Sequence, residues 1–327
     1  MKFKRIIIVL LIGAVVLGML LKYVGIDNFI ISFKKTNPIF LILALFLFYF
    51  IFLLISIRWK IILSSLKFKE NIRYLFFYAI VGKFANFMIP MNGGELVKAY
   101  LLKKRSGIPM NKGLSTIVIE RTLDAITIIL VTLSFTYVMF RSKIPQWIII
   151  PVLVWVTFII MLVISIFSLQ RIQNLLYKFS KKRRYLKIVK FLLLTLRNLR
   201  LILKHKTNFF FVIVLTLLIW FGYSLVFYLV VLGTGYHMPF LIVIFVAFIM
   251  YLVASIPITP GAVGQIELSG IIMFSLLNIP KTNTVTIILV NQFISYWSFL
   301  FIAGIITYCV GVFKFINNIK ADNQKIN

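Results

Sequence analysis

Polar residues are scarce over long stretches of this chain and crowd at the ends of those stretches. Mainly apolar runs cover residues 6–21, 38–57, 114–140, 147–169, 209–232 and 284–312. Each is near the length of about 20 residues that an α-helix needs to cross a bilayer. Lys2, Lys4 and Arg5 precede the first run, and no small-x-small cleavage site follows it, so it reads as a retained helix rather than a signal peptide. Pro151 lies near the start of its run, where proline is best tolerated. Two further runs are short and broken. One covers 74–89 and carries Gly82 and Lys83; the other comprises 240–255 and 268–279. The pattern predicts an all-α, polytopic integral membrane protein. It has about six full transmembrane helices and two broken or re-entrant helix pairs.

Composition supports that class. The chain is 62% hydrophobic, against roughly 45–50% apolar residues in soluble domains, and its mean hydropathy is +1.06. The net charge of +29 resides in basic clusters beside the apolar runs, as the positive-inside rule expects of cytoplasmic loops. Anionic membrane lipids are therefore the expected partners. No nucleic-acid-binding motif accompanies the charge. Arg58, Lys60, Lys67, Lys69 and Arg73 read as one cytoplasmic loop, and Lys103, Lys104 and Arg105 as another. Residues 171–206 hold twelve Lys or Arg and no acid. They divide the chain into a first membrane half (1–170), a basic cytoplasmic linker (171–206), a second membrane half (207–313) and a cytoplasmic tail (314–327). Leucines and basic residues at helical spacing in 185–203 suggest an amphipathic helix on the membrane surface. Both termini are expected in the cytoplasm, and the protein in the cell membrane.

The breaks are the sites of candidate chemistry. The first contains Pro90, Gly93 and Gly94, followed by Glu95 and Lys98; the second contains Pro257, Pro260, Gly261 and Gly264, followed by Glu267. Proline removes a backbone donor and glycine frees the backbone, so a helix stops or kinks there. At membrane depth such a break needs protein or a watery cavity to satisfy the freed groups. Basic residues on both sides of the first break make it a re-entrant turn entered from the cytoplasm. The second break is reached from a helix that begins outside. Interrupted helices in matching positions of two halves are the pattern of inverted-repeat transporters, whose sites lie near the midplane.

The acids point to the same places. Of seven Asp and Glu residues, Glu95, Glu120, Asp124 and Glu267 lie in or beside apolar runs. A carboxylate at the centre of a membrane helix costs about 2.5–3.5 kcal/mol, so these four need partners or water. Glu120 and Asp124 share a helix face, and Arg121 is spaced to pair with Asp124. That trio could tether neighbouring helices or line a site. Lys83, Lys98 and Arg121 supply positive charge suited to a lipid phosphate, and the glycines expose amides near helix starts, which suits an anion. Phe46, Phe48, Tyr49, Phe50 and Phe52 read as lipid-facing or packing residues. The lone Cys309 excludes an intrachain disulfide, and His205 and His237 stand far apart, so no metal site and no cofactor is expected. No Walker A loop or HExxH motif is present.

Three stretches carry a resemblance to a known family. They are Pro-Met-Asn-Gly-Gly-Glu-Leu-Val-Lys-Ala-Tyr at 90–100, Glu-Arg-Thr-Leu-Asp at 120–124 and Pro-Ile-Thr-Pro-Gly-Ala-Val-Gly-Gln-Ile-Glu at 257–267. In that order the chain resembles the flippase-like transmembrane domain of lysylphosphatidylglycerol synthases, which also occurs as a stand-alone protein. Lys98 stands where the motif often has arginine, which keeps the charge and loses the planar fork. The resemblance implies movement of a phospholipid or lipid-linked glycan headgroup between leaflets. It also implies that Glu95, Lys98, Glu120, Arg121, Asp124 and Glu267 line or brace the path. The synthases carry a soluble aminoacyl-transferase domain after the membrane part, which is not expected in this chain, whose sequence runs to Asn327. Enzymatic lipid lysylation by this chain alone is accordingly not expected. The alternative reading is a membrane-embedded enzyme or accessory subunit acting on polyprenyl-linked sugars or aminoacyl lipids. A second copy of the chain, or a lipid-modifying enzyme, is the protein partner such a role would call for.

Overall fold

The computed structural model describes residues 26–89, 93–140, 183–256 and 259–309, together with Gly18 and isolated positions between 153 and 164. The first run apart from Gly18, most of 147–169, Pro90, Pro257 and the tail 314–327 lie outside the described residues. Among the described residues the chain is helical and has no strand. It is an all-α polytopic integral membrane protein.

Short helix α1 (Ile26–Lys34) leads into α2 (Pro38–Ser65), which Asn37 caps by accepting a hydrogen bond from the Ile39 amide at 3.0 Å. A proline in the first turn of α2 is favourable, since its missing donor would be unpaired there anyway. The partner of α2 is α7 (Lys206–Gly233). The Asn37 amide donates to the Gly233 carbonyl at one end of the pair, and Asn208 donates to Ser64 and Ser65 at the other. The two helices are therefore antiparallel along their whole length. At 28 residues each they are about 42 Å long, enough to cross a hydrocarbon core of about 30 Å. Their outward residues are apolar, with Phe46 70% and Phe210 62% exposed. Their inward residues pack: Phe52 stacks on Phe299 at 5.1 Å between centroids, and Phe48 is buried beside them.

The first broken run forms a hairpin of α3 (Ile72–Met88) and α4 (Gly94–Ser106). Each is too short to cross a bilayer, at about 26 and 20 Å. Their close approach rests on two glycines. A Cβ on Gly94 would collide with the Gly82 carbonyl oxygen, and one on Gly82 would lie 3.2 Å from the Gly94 oxygen. Asn86 holds the turn by accepting a hydrogen bond from the Gly94 amide at 2.7 Å. Gly107, at φ 66°, ends α4 in the left-handed conformation. The long helix α5 (Met110–Phe140) then crosses behind the hairpin.

Helix α6 (Arg183–Lys204) bears out the helical spacing read in the basic linker. On its apolar edge, Leu199 and Ile202 pack with Ile62 of α2 and Ile119 of α5. The second broken run comprises α8 (Phe240–Ala254), a 3-10 turn (Pro260–Ala262) and α9 (Gln265–Leu276). Gly261 at φ 66° and Gly264 at φ 86° adopt the left-handed region that side chains disfavour. The chain closes with α10 (Lys281–Gln292), a π-helical turn (Phe293–Trp297) and α11 (Ser298–Cys309).

One sequence expectation needs correction here. Arg58 does not begin a solvated loop. Helix α2 continues to Ser65, and Arg58 is buried within it. No proline or glycine interrupts residues 58–65, and the guanidinium finds acids inside the bundle.

Candidate functional site

The two breaks meet. The ring of Phe87, at the end of α3, lies against Gly261, where any Cβ would strike it. The same ring stands edge-on to Tyr296 at 4.8 Å. Around this junction is a cavity of about 270 Å³, near the lower end of the size range of small-ligand sites. Its wall includes Lys83, Asn86, Glu95 and Lys98 from the hairpin, Arg121 and Asp124 from α5, and Gly261 and Glu267 from the second break. Trp220 and Tyr223 of α7 and Gln292 and Tyr296 of the last helical stretch complete it.

Three cations and three acids form a continuous network on one wall. Arg58 grips Asp124 with its fork, Nη1 to Oδ1 at 2.6 Å and Nη2 to Oδ2 at 3.4 Å. The same guanidinium donates to Thr216 Oγ1 at 3.0 Å and lies 3.7 Å from Glu120. Lys98 Nζ contacts Glu120 at 2.5 Å and Glu95 at 3.9 Å, and sits 4.2 Å over the Trp59 ring. The Trp59 indole is oriented by its donation to Thr116 Oγ1 at 2.8 Å. Arg121 pairs with Glu95 at 3.1 Å and with Asp124 at 3.5 Å. Asp124 also accepts a hydrogen bond from the Trp220 indole at 3.0 Å.

Accessibility divides these groups by position. Glu120 is fully buried and stands behind the cavity wall, and Lys98 and Asp124 are buried at its surface. The Arg121 side chain is 41% exposed. Lys83 is exposed, and among the described residues it has no ion-pair partner; its ammonium lies 5.6 Å over the Phe87 ring. Glu267 sits apart from the network. It is buried at the start of α9, where its carboxylate accepts the Gly264 amide at 2.6 Å, the side-chain-to-backbone half of a capping box.

Five of the six predicted polar residues thus lie in one network, and the sixth shares the cavity. Of the predicted break residues, Gly93 caps α4, Gly94 seats the hairpin, and Gly261 and Gly264 turn the second break. Pro260 opens the 3-10 turn. Sequence reasoning missed Arg58, Trp220 and the neutral pair Gln292 and Tyr296. Arg58 could have been found as a helix-interior basic residue next to a tryptophan; the others carry no local signal.

Comparison with known proteins gives the kinship. A family model described as the lysylphosphatidylglycerol synthase transmembrane region matches residues 6–304. A UPF0104 membrane protein of Methanothermobacter thermautotrophicus is 25% identical over 314 residues, 91% of this chain and 93% of that protein. A second UPF0104 membrane protein, from Methanocaldococcus jannaschii, is 26% identical over 319 residues, 90% of this chain and 92% of the relative. The glycosyltransferase AglD of Haloferax volcanii is 27% identical over 127 residues, 38% of this chain and 20% of that protein. No solved structure matches at a significant level. The chain belongs to the family of the lysylphosphatidylglycerol synthase transmembrane region.

Proposed function

We propose that this protein is a flippase-like transporter that moves the anionic headgroup of a phospholipid or lipid-linked glycan across the cell membrane. The observation that carries the reading is Lys83. It is an exposed cation with no ion pair among the described residues, facing a cavity among membrane helices whose other cations on that wall are matched by acids. An ammonium in that position can hold an anion, and the half-exposed Arg121 offers a planar fork for a phosphate. The two breaks meeting at Phe87 and Gly261 support a polar path between short helices. In this reading both breaks are re-entrant, the two halves are inverted repeats that rock to alternate access, and the termini lie in the cytoplasm. Lipid tails stay in the bilayer while the headgroup passes.

The test is leaflet exchange of a fluorescent anionic phospholipid in liposomes, read by external reduction of the label. The wild-type protein should accelerate exchange, and Lys83→Gln and Glu95→Gln should reduce it at least tenfold. Folded Lys83→Gln, Glu95→Gln and Glu267→Gln proteins with wild-type rates would overturn the site.

The local similarity to a glycosyltransferase favours a second reading, an accessory subunit acting on polyprenyl-linked sugars. Product formed from a lipid-phosphate sugar donor by the purified protein, without leaflet exchange, would decide for it.

A further inference from the structure

Neutral polar side chains line a further part of the cavity, with Glu267 also in its wall. Asn291, Gln292, Ser295 and Tyr296 all line it, near the middle of the 26-residue apolar stretch Lys281–Ile306. Gln292 is only 4% exposed and Tyr296 5%. Yet, among the described residues, neither amide atom of Gln292 nor the Tyr296 hydroxyl has a hydrogen-bond partner. Buried polar groups are almost always satisfied, so three unpaired atoms at one place need an explanation. The backbone is unusual there too. The Ser298 amide reaches back to the Phe293 carbonyl, which makes residues 293–297 a π turn. Such turns inside α-helices occur frequently at functional sites.

We propose that this π turn forms a second, neutral subsite, in which Gln292 and Tyr296 recognise the hydroxyls of a polyol or sugar headgroup. The inference rests on the transporter reading above, with the phosphate held at Lys83 and Arg121. The chemistry matches in kind. An amide presents a donor and an acceptor side by side and a phenol presents both on one oxygen; a hydroxyl needs the same pair in return. An ammonium headgroup would leave the amide donor and the phenol proton without acceptors. A bare phosphate carries acceptors and no C–O–H donor, so it would leave the Gln292 carbonyl unpaired.

The experiment uses the purified full-length protein and two anionic lipids with identical acyl chains. Phosphatidylglycerol carries two headgroup hydroxyls, and phosphatidylpropanol is the same headgroup without them. Competition in equimolar mixtures, read by native mass spectrometry, should favour phosphatidylglycerol about tenfold, the worth of two neutral hydrogen bonds. Gln292→Leu should bring the ratio close to one, and Tyr296→Phe should lower it part of the way. Lys83→Gln should weaken binding of both lipids and leave the ratio in place. Gln292→Leu removes an unpaired amide, so its thermal midpoint should equal or exceed that of the wild type; Tyr296→Phe, which loses one oxygen, is the second variant. A wild-type ratio of one, a ratio that survives both substitutions, or preference for phosphatidylethanolamine would overturn the neutral subsite. Failure of the wild-type protein to bind either anionic lipid would instead overturn the transporter reading beneath it.

Discussion

Arg58→Leu tests whether the charge network is buried in an energetic sense. The guanidinium is 1% exposed and makes two contacts to Asp124, one to Thr216 and a longer one to Glu120. Removing one partner of a buried pair typically costs about 3–5 kcal/mol, because the remaining charge is left without compensation. Asp124 would keep Trp220 and Arg121, so the lower figure of about 3 kcal/mol applies. The double substitution Arg58→Leu with Asp124→Leu removes both charges of the pair and leaves Glu120 with Lys98. It should be at least about 1 kcal/mol more stable than the sum of the single effects requires. Unfolding in mixed micelles of increasing denaturing detergent, followed by tryptophan fluorescence, measures both quantities. A loss below about 1 kcal/mol for Arg58→Leu, the range of solvated surface pairs, would refute the reasoning. So would strict additivity in the double substitution.

Three further outcomes follow from local geometry. Gly94→Ala should separate α3 from α4, because its Cβ meets the Gly82 backbone oxygen rather than a movable side chain; overpacking of this kind costs about 1–3 kcal/mol or more, seen as lost monodisperse yield on size exclusion. Gly82→Ala, with 3.2 Å to the nearest atoms, should be the milder of the two. Glu120→Gln should destabilise by about 3 kcal/mol, because Lys98 would keep only the longer contact to Glu95 at 3.9 Å, and Lys98→Met in the same protein should recover part of it in the thermal midpoint. Gly261→Ala should fail on two counts, its φ of 66° and the Phe87 ring; adding Phe87→Ala should relieve the clash and leave the backbone strain of about 1–2 kcal/mol, resolved by comparing the two midpoints.

Glu95, Glu120, Arg121, Asp124 and Glu267 were legible in the sequence because charged residues are costly in apolar runs and so stand out there. The two breaks were legible because proline and glycine act locally. Pairing was legible only within a helix: Arg121 with Asp124, three residues on, is such a case. The link of Lys98 to Glu120 joins two helices, and no spacing rule reaches it. Arg58 was misread because the hydropathy of its run fades where basic residues begin, and a buried cation next to Lys60 looks like one more member of a loop. Gln292 and Tyr296 were invisible for the opposite reason. Neutral polar residues cost little in a membrane helix, so they stand out only when burial and missing partners are known. The helix at 183–204 was legible as amphipathic, but whether lipid or protein covers its apolar edge depends on what lies beside it.

The network also has a property that no single pair shows. Two ion pairs tie the α3–α4 hairpin to α5: Lys98 to Glu120 and Arg121 to Glu95. Every member has a second partner. Lys98 has Glu95 on its own helix at 3.9 Å, and Arg121 has Asp124 on its own helix at 3.5 Å. Glu120 has Arg58 of α2 at 3.7 Å. A shift of the hairpin away from α5 would break both ties, yet each cation would keep an acid and each acid a cation. Buried ion pairs are poor stabilisers compared with apolar packing, so holding helices together is a weak reason to build six charges into this wall. Exchange between partners is a stronger one. It lets the hairpin move without exposing an uncompensated charge to a low-dielectric interior, as the transport proposed above would require.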